Sequence, residues 1–251
     1  MCPNLLILGG TSDATALARA IADADIPATL SLAGRVAHPI KSPLPQRTGG
    51  FGGPDGLAAY MTDNRITHLI DATHPFAAQM SLNAIAAADV TGIPLAALTR
   101  PPWRAEARDH WMHVPDMEAA VDALDGPAQR IFLAIGRQQL SLFAAQPQHH
   151  YILRLVDPPT APLPLPDCEA IVARGPFAEA DDIALLKDHR IDMVVSKNSG
   201  GAGAHAKIAA ARALGLPVVM IDRPELPDRL ELASPQEVLD WIHQAPTLRG
   251  V

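Results

Sequence analysis

A chain of 251 residues, 48% hydrophobic and 19% charged, can bury the core of one large domain or two small ones. Its net charge of −7 argues against an extended nucleic-acid surface or attachment to an anionic membrane, though not against a local basic pocket. Cys2 and Cys168 form no CxxC pair, so no disulfide framework or metal site is expected; no apolar run reaches the ~18 residues of a membrane span, and the expected location is cytoplasmic.

The first element is LLILGGTSDA, residues 5–14. Four apolar residues predict a short buried strand, Gly9-Gly10 breaks it, and Thr11, Ser12 and Asp13 offer N-cap side chains to a helix over the apolar-periodic run 14–21. Such a turn exposes N–H groups at a positive helix end, which suits phosphate, but the full GxGxxG fingerprint is absent and an ordinary βα turn reads the same way. A second strand over residues 27–32 ends at Gly34 and Arg35. Where an acidic residue would bind the ribose of NAD, an arginine accommodates the 2′-phosphate of NADP; a solvated loop arginine is the other reading.

Residues 38–56 are too rich in Pro and Gly for helix or central strand, and Gly49 and Gly50 follow Arg47 closely, as in a ligand-binding loop or a long connector. A short helix over 57–64 precedes a strand at 68–71. That strand ends in Thr73-His74-Pro75, with a helix over 76–88. Thr73 and His74 then stand where open α/β sheets bind ligands, and His74 is either an orienting group or a general acid. After a strand at 93–98, Arg100, Arg104 and Arg108 beside Trp103 and Trp111 form either a grip for a planar anion or a hinge between domains.

The second half, from about residue 112, repeats the alternation: helix 116–124, strand 130–135 with its turn at Gly136-Arg137, helix 138–145, strand 151–156 and an extended proline-rich loop at 157–166. A strand at 170–173, a helix at 178–189 and a strand at 192–195 follow. Residues 196–203, with Lys197, Asn198, Ser199, Gly200 and Gly201, mirror the opening turn and add a cation, before a helix at 204–214 and a strand at 217–221. Ser234, Pro235 and Glu237 mark the start of a last helix. The expected fold is α/β: two Rossmann-like, doubly wound parallel-sheet domains, 1–111 and 112–251, with the active site in the cleft between them.

The motifs LLILGGTSDA, QRTGGFGG, DATHPFA, RPPW, RGPF and SKNSGGAGAHAKIAAARALGLPVVMIDRP, in this order over residues 5–224, resemble the precorrin-6A reductase family of cobalamin biosynthesis. The resemblance implies NADPH-dependent reduction of one double bond of the precorrin-6A macrocycle to precorrin-6B, in the aerobic pathway, without a metal or a protein nucleophile. It implies a cofactor site at Gly9, Gly10, Thr11, Ser12, Asp13, Gly34, Arg35, Thr73, Ser199, Gly200 and Gly201. The anionic arms of the substrate would meet Arg47, Gly49, Gly50, Arg100, Arg104, Arg137, Lys197 and Asn198. His74 and Lys197 are the candidate proton donors, water being the alternative. NADH-dependent reduction of the cobalt-containing analogue and a non-catalytic nucleotide- or tetrapyrrole-binding module are the competing functions, and transient contact with other enzymes of corrin synthesis is a further expectation.

Overall fold

The computed structural model of the chain describes residues 2–34 and 41–244. The chain forms β1 (Leu5–Leu8), α1 (Ser12–Asp23), β2 (Ala28–Leu32), β3 (Gln46–Thr48), α2 (Pro54–Asp63), β4 (His68–Asp71), α3 (Ala78–Thr91) and β5 (Leu95–Leu98). It continues with β6 (His110–Val114), α4 (Met117–Asp122), β7 (Arg130–Ala134), a 3₁₀ helix (Leu140–Ala145), β8 (His150–Leu155), β9 (Cys168–Val172), α5 (Glu179–Asp188), β10 (Met193–Lys197), α6 (Ala206–Leu214) and β11 (Pro217–Ile221). β12 (Leu230–Leu232) and α7 (Pro235–Gln244) complete it.

These elements build two wholly parallel six-stranded sheets, ordered β3-β2-β1-β4-β5-β12 and β9-β8-β7-β10-β11-β6. Both have the 3-2-1-4-5-6 arrangement of dinucleotide folds, as the alternation of strands and helices predicts. The sixth place differs in origin. In the first sheet it is filled by β12, from the end of the chain, and in the second by β6, from the start of that unit.

Burial on both faces explains why β1 reads as an unbroken apolar run. Leu5 and Ile7 meet Ala14, Leu17, Ala18 and Ile21, the i, i+3, i+4, i+7 stripe of α1, together with Val238 and Ile242 of α7. Leu6 and Leu8 face the other way, onto Leu57 and Met61 of α2 and Ala84 and Ala87 of α3. In the second unit Phe132, Ile152, Val194 and Met220 are covered by Leu186 of α5 and Ile208 and Ala211 of α6. Truncating a residue as enclosed as Leu17 to Ala costs about 2–5 kcal/mol.

The division of the chain differs from the expected 1–111 and 112–251. One unit holds the described residues up to Pro101 and again from Glu225; the other is Pro102–Pro224. Alternation carries no label for the sheet a strand will join. The assignment is made by β12 pairing with β5, Leu230 opposite Ala96, and by α7 closing over α1. Three strands not expected from the sequence, β3, β6 and β12, are all edge strands: polar residues interrupt the apolar ones in β6 and β12, and β3 has no apolar residue. Residues 140–145 form a 3₁₀ helix because Leu140 and Phe143, three apart, are the pair that must be buried, and i and i+3 eclipse in that helix. The expected cap of the last helix is present: Glu237 N donates to Ser234 Oγ (3.2 Å), and Glu237 Oε2 accepts from Ala233 N (2.8 Å).

Candidate functional site

Strand order reverses between β1 and β4 in the first sheet, and in open parallel sheets the carboxyl side of that point receives ligand. Thr11 does two jobs there. Its Oγ1 caps α1 by accepting from Ala14 N (3.0 Å), and its hydroxyl donates to Ala72 O (2.9 Å), tying the turn after β1 to the turn after β4. Gly10 lies at φ +122°, a conformation that L side chains rarely adopt. Arg100, just after β5, reaches the same helix end: its Nη1 is 3.0 Å from Asp13 Oδ2 and 3.5 Å from Ser12 Oγ. The positive helix end thus carries a cation already paired with a carboxylate.

Asp71 closes β4 and is buried. Its Oδ1 accepts from Thr73 N (3.1 Å) and Thr73 Oγ1 (2.6 Å), and its Oδ2 from Ser81 Oγ (2.6 Å) and Arg229 Nη1 (2.6 Å). Four donors on one carboxylate fix the conformation of Thr73-His74. His74 Nδ1 then accepts from Phe76 N (3.2 Å), which puts the proton of the neutral ring on Nε2. Neither Asp71 nor Arg229 is among the residues singled out from sequence. An aspartate ending a fully buried strand is the legible signal, since a buried carboxylate needs a partner.

Arg47 is the middle residue of β3. Its Nη1 donates to Ser31 Oγ (2.7 Å) and Gly49 O (3.1 Å), its Nη2 donates to Gly50 O (3.0 Å), and its guanidinium lies 3.8 Å from the Phe51 ring centroid. The arginine expected to grip a ligand therefore organises the glycine-rich loop itself. Gly34, two residues beyond β2, lies at φ +76°, and Arg35 lies outside the described residues.

In the second sheet the reversal falls between β7 and β10, and Lys197 Nζ spans it by donating to Gln139 Oε1 (3.2 Å). Arg137 and Arg104 are exposed, and among the described residues their guanidinium groups have no hydrogen-bond or ion-pair partner. Asn198 is buried and its carboxamide is engaged: Oδ1 accepts from Trp103 N (2.8 Å) and Nδ2 donates to Trp103 O (3.0 Å). Trp103 Nε1 donates to Gly201 O (2.7 Å), while Arg223 donates from Nε to Asn198 O (3.0 Å) and from Nη2 to Ser199 O (3.1 Å). Gly200 and Gly201 both have φ +69°. Further along, Arg212 binds the buried Asp109 through two hydrogen bonds of 2.9 Å. Burial pushes the Asp109 carboxyl up, but the Arg212 guanidinium and the Glu106 N–H outweigh it and hold it below the usual range.

Each sheet thus presents a reversal point with glycine-rich turns, and the predicted residues divide between them: 9–13, Gly34, Arg47, Gly49, Gly50, Thr73, His74 and Arg100 in one unit, Arg104, Arg137 and 197–201 in the other. Residues 4–243 match the family model described as Precorrin-6x reductase CbiJ/CobK. The chain belongs to the precorrin-6x reductase family. The match takes in both sets of strand-end turns. The chain is 55% identical to the precorrin-6A reductase of Rhodobacter capsulatus, covering 99% of each chain, and 30% identical to the cobalt-precorrin-6A reductase of Priestia megaterium over 88% of this chain and 91% of that one. A solved structure titled CobK precorrin-6A reductase superposes with a TM-score of 0.93 at 54% identity, covering 99% of this chain and 100% of the other. Among the described residues no helix is long and apolar enough to cross a membrane, and no group of three or more His, Cys, Asp or Glu could hold a metal ion.

Proposed function

We propose that the protein reduces one carbon–carbon double bond of the precorrin-6A macrocycle, giving precorrin-6B, with NADPH as the reductant. The reading rests above all on the 55% identity to a precorrin-6A reductase over essentially the whole chain. NADPH, when bound, supplies hydride from its nicotinamide; the protein supplies alignment, charge and a proton path.

The side chains fit an anionic cofactor and an anionic substrate. Lys197 and Arg137 bring cations to the reversal point of the second sheet, beside a loop rich in backbone N–H groups. In the first unit the N-terminus of α1 is open to phosphate because Arg100 neutralises Asp13. We assign residues 9–13, Gly34, Arg35, Thr73 and 199–201 to the cofactor. Arg100, Arg104, Arg137 and Lys197 serve the substrate's carboxylates directly, Arg47 serves them through the loop of Gly49 and Gly50 that it holds, and Asn198 stands beside Lys197 on the substrate side of the 199–201 turn. His74, whose Nδ1 accepts from the Phe76 N–H, orients substrate through Nε2. Lys197 then remains as the ionisable side chain for proton delivery, in competition with water.

The test is nicotinamide absorbance on mixing enzyme, NADPH and precorrin-6A. Loss of absorbance matched to macrocycle reduction is expected, faster with NADPH than NADH and faster with the metal-free macrocycle than with its cobalt complex. Binding of both molecules without loss of absorbance would leave a non-catalytic binding module instead.

A further inference from the structure

Three carbonyl groups of the 198–201 loop are held by side chains. Arg223 takes those of Asn198 and Ser199, and the Trp103 indole N–H takes that of Gly201. A trans peptide is planar, with its C=O and the following N–H pointing in opposite directions. Fixing the Ser199 and Gly201 carbonyls therefore turns the N–H groups of Gly200 and Ala202 away from Trp103 and Arg223. Among the described residues neither of these N–H groups donates to the protein, although Gly200 is buried, and a buried N–H without a partner is costly. Its natural partner is an anion, which the nearby Lys197 also favours.

We propose that Trp103, Arg223 and Asn198 are positioning residues that hold the Gly200 and Ala202 N–H groups ready for an anionic oxygen, a phosphate of the cofactor or a carboxylate of the macrocycle. Asn198 acts through Trp103. Its carboxamide pairs with both main-chain polar groups of that residue and so places the indole over Gly201. Gly200 and Gly201, both at φ +69°, supply the left-handed backbone on which the loop turns between the Ser199 and Gly201 carbonyls. The proposal rests on the reductase reading only for the identity of the anion.

Two measurements test it. The three tryptophans are Trp103, Trp111 and Trp241, so a Trp111→Phe, Trp241→Phe background isolates Trp103 emission. In that background Asn198→Ala should shift the ligand-free emission to the red, as the indole leaves its site. In the otherwise native chain, Trp103→Phe keeps the main-chain pairing with Asn198 but deletes the bond to Gly201. It should raise KM for at least one of NADPH and precorrin-6A about tenfold while kcat changes less than about threefold. A rise for NADPH identifies a cofactor phosphate, and a rise for precorrin-6A a substrate carboxylate. Adding Asn198→Ala to Trp103→Phe should cost no more than Asn198→Ala alone. Unchanged emission, unchanged KM for both ligands, or effects of the two substitutions that multiply would each overturn the proposal. Where the protein binds both molecules but turns nothing over, the reductase reading fails and the same comparison is made on dissociation constants.

Discussion

Arg229 Nη1 lies 2.6 Å from Asp71 Oδ2, and the two side chains are only 9% and 2% exposed. The cation comes from the stretch that returns from the second unit, and the carboxylate ends the central strand β4 and holds Thr73. Removing one partner leaves an uncompensated buried charge. Arg229→Met is expected to cost about 3–5 kcal/mol, and Asp71→Asn added to it to recover much of the loss. Denaturant unfolding followed by Trp241 emission measures both; a cost below about 1 kcal/mol, the range of surface pairs, would refute the assignment.

His68 is buried beside Trp241, with ring centroids 5.1 Å apart, and burial lowers its pKa. The unfolded chain therefore takes up the proton first. Stability is complete well above the unfolded value of about 6.5 and declines as pH falls below it, until the folded-state pKa is passed. His68→Gln should flatten the decline in melting temperature of the first unit between pH 7 and pH 5, the window set by that ordinary histidine value. An unchanged pH slope in the variant would assign the decline to other groups.

Asp109 behaves oppositely in the second unit. Its pKa is held below the ordinary carboxylate value, so its contribution is present above about pH 4 and is lost only as pH falls through the lower folded-state value. Arg212→Met should shift acid unfolding of the second unit to higher pH, read by Trp111 emission. No shift would mean that the Asp109–Arg212 pair does not govern the acid limit.

For His74 the expectation is a role without proton transfer. Gaining a second proton would require Nδ1 to give up the hydrogen bond from Phe76 N. His74→Asn retains an acceptor for that N–H and should keep turnover within about tenfold of the parent, with an unchanged kcat profile from about pH 6 to 8; a general acid would lose about 10²–10⁴-fold.

Arg47→Lys separates charge from geometry. Lysine preserves the cation but cannot reproduce the fork that serves Ser31, Gly49 and Gly50, nor its stacking on Phe51. We expect KM for precorrin-6A to rise about tenfold, as for the loss of a charged hydrogen bond. A variant indistinguishable from the parent would mean that charge alone is used.

The opening strand, turn and helix were legible because LLIL needs burial on both faces and Thr11 is a natural cap. Both parallel sheets were legible from the alternation that follows. The borders of the units were not, because a three-residue edge strand such as Leu230–Leu232 has no pattern of its own until Ala96 stands opposite it. Within the candidate site, the positions of glycines and cations at strand ends are legible in the sequence, and their bonding is not. Arg47 and Asn198 looked like ligand-facing groups, yet their hydrogen bonds go to Gly49, Gly50 and Trp103. Those bonds depend on residues that only the fold brings near.

The pairing of Trp103 and Arg223 with Asn198 has one more consequence, for the modular history of the chain. Trp103 lies just inside the start of the second unit and Arg223 just inside its end, so both ends of Pro102–Pro224 meet at a single residue. A segment whose ends adjoin can be inserted into a host loop, or excised from it, without stretching either part. Pro102–Pro224 should therefore be expressible as a free-standing polypeptide. The host, with Pro101 joined to Glu225 by a few glycines, should retain its full sheet, whereas a chain stopped at Pro101 would lack β12 and the arginine that neutralises Asp71.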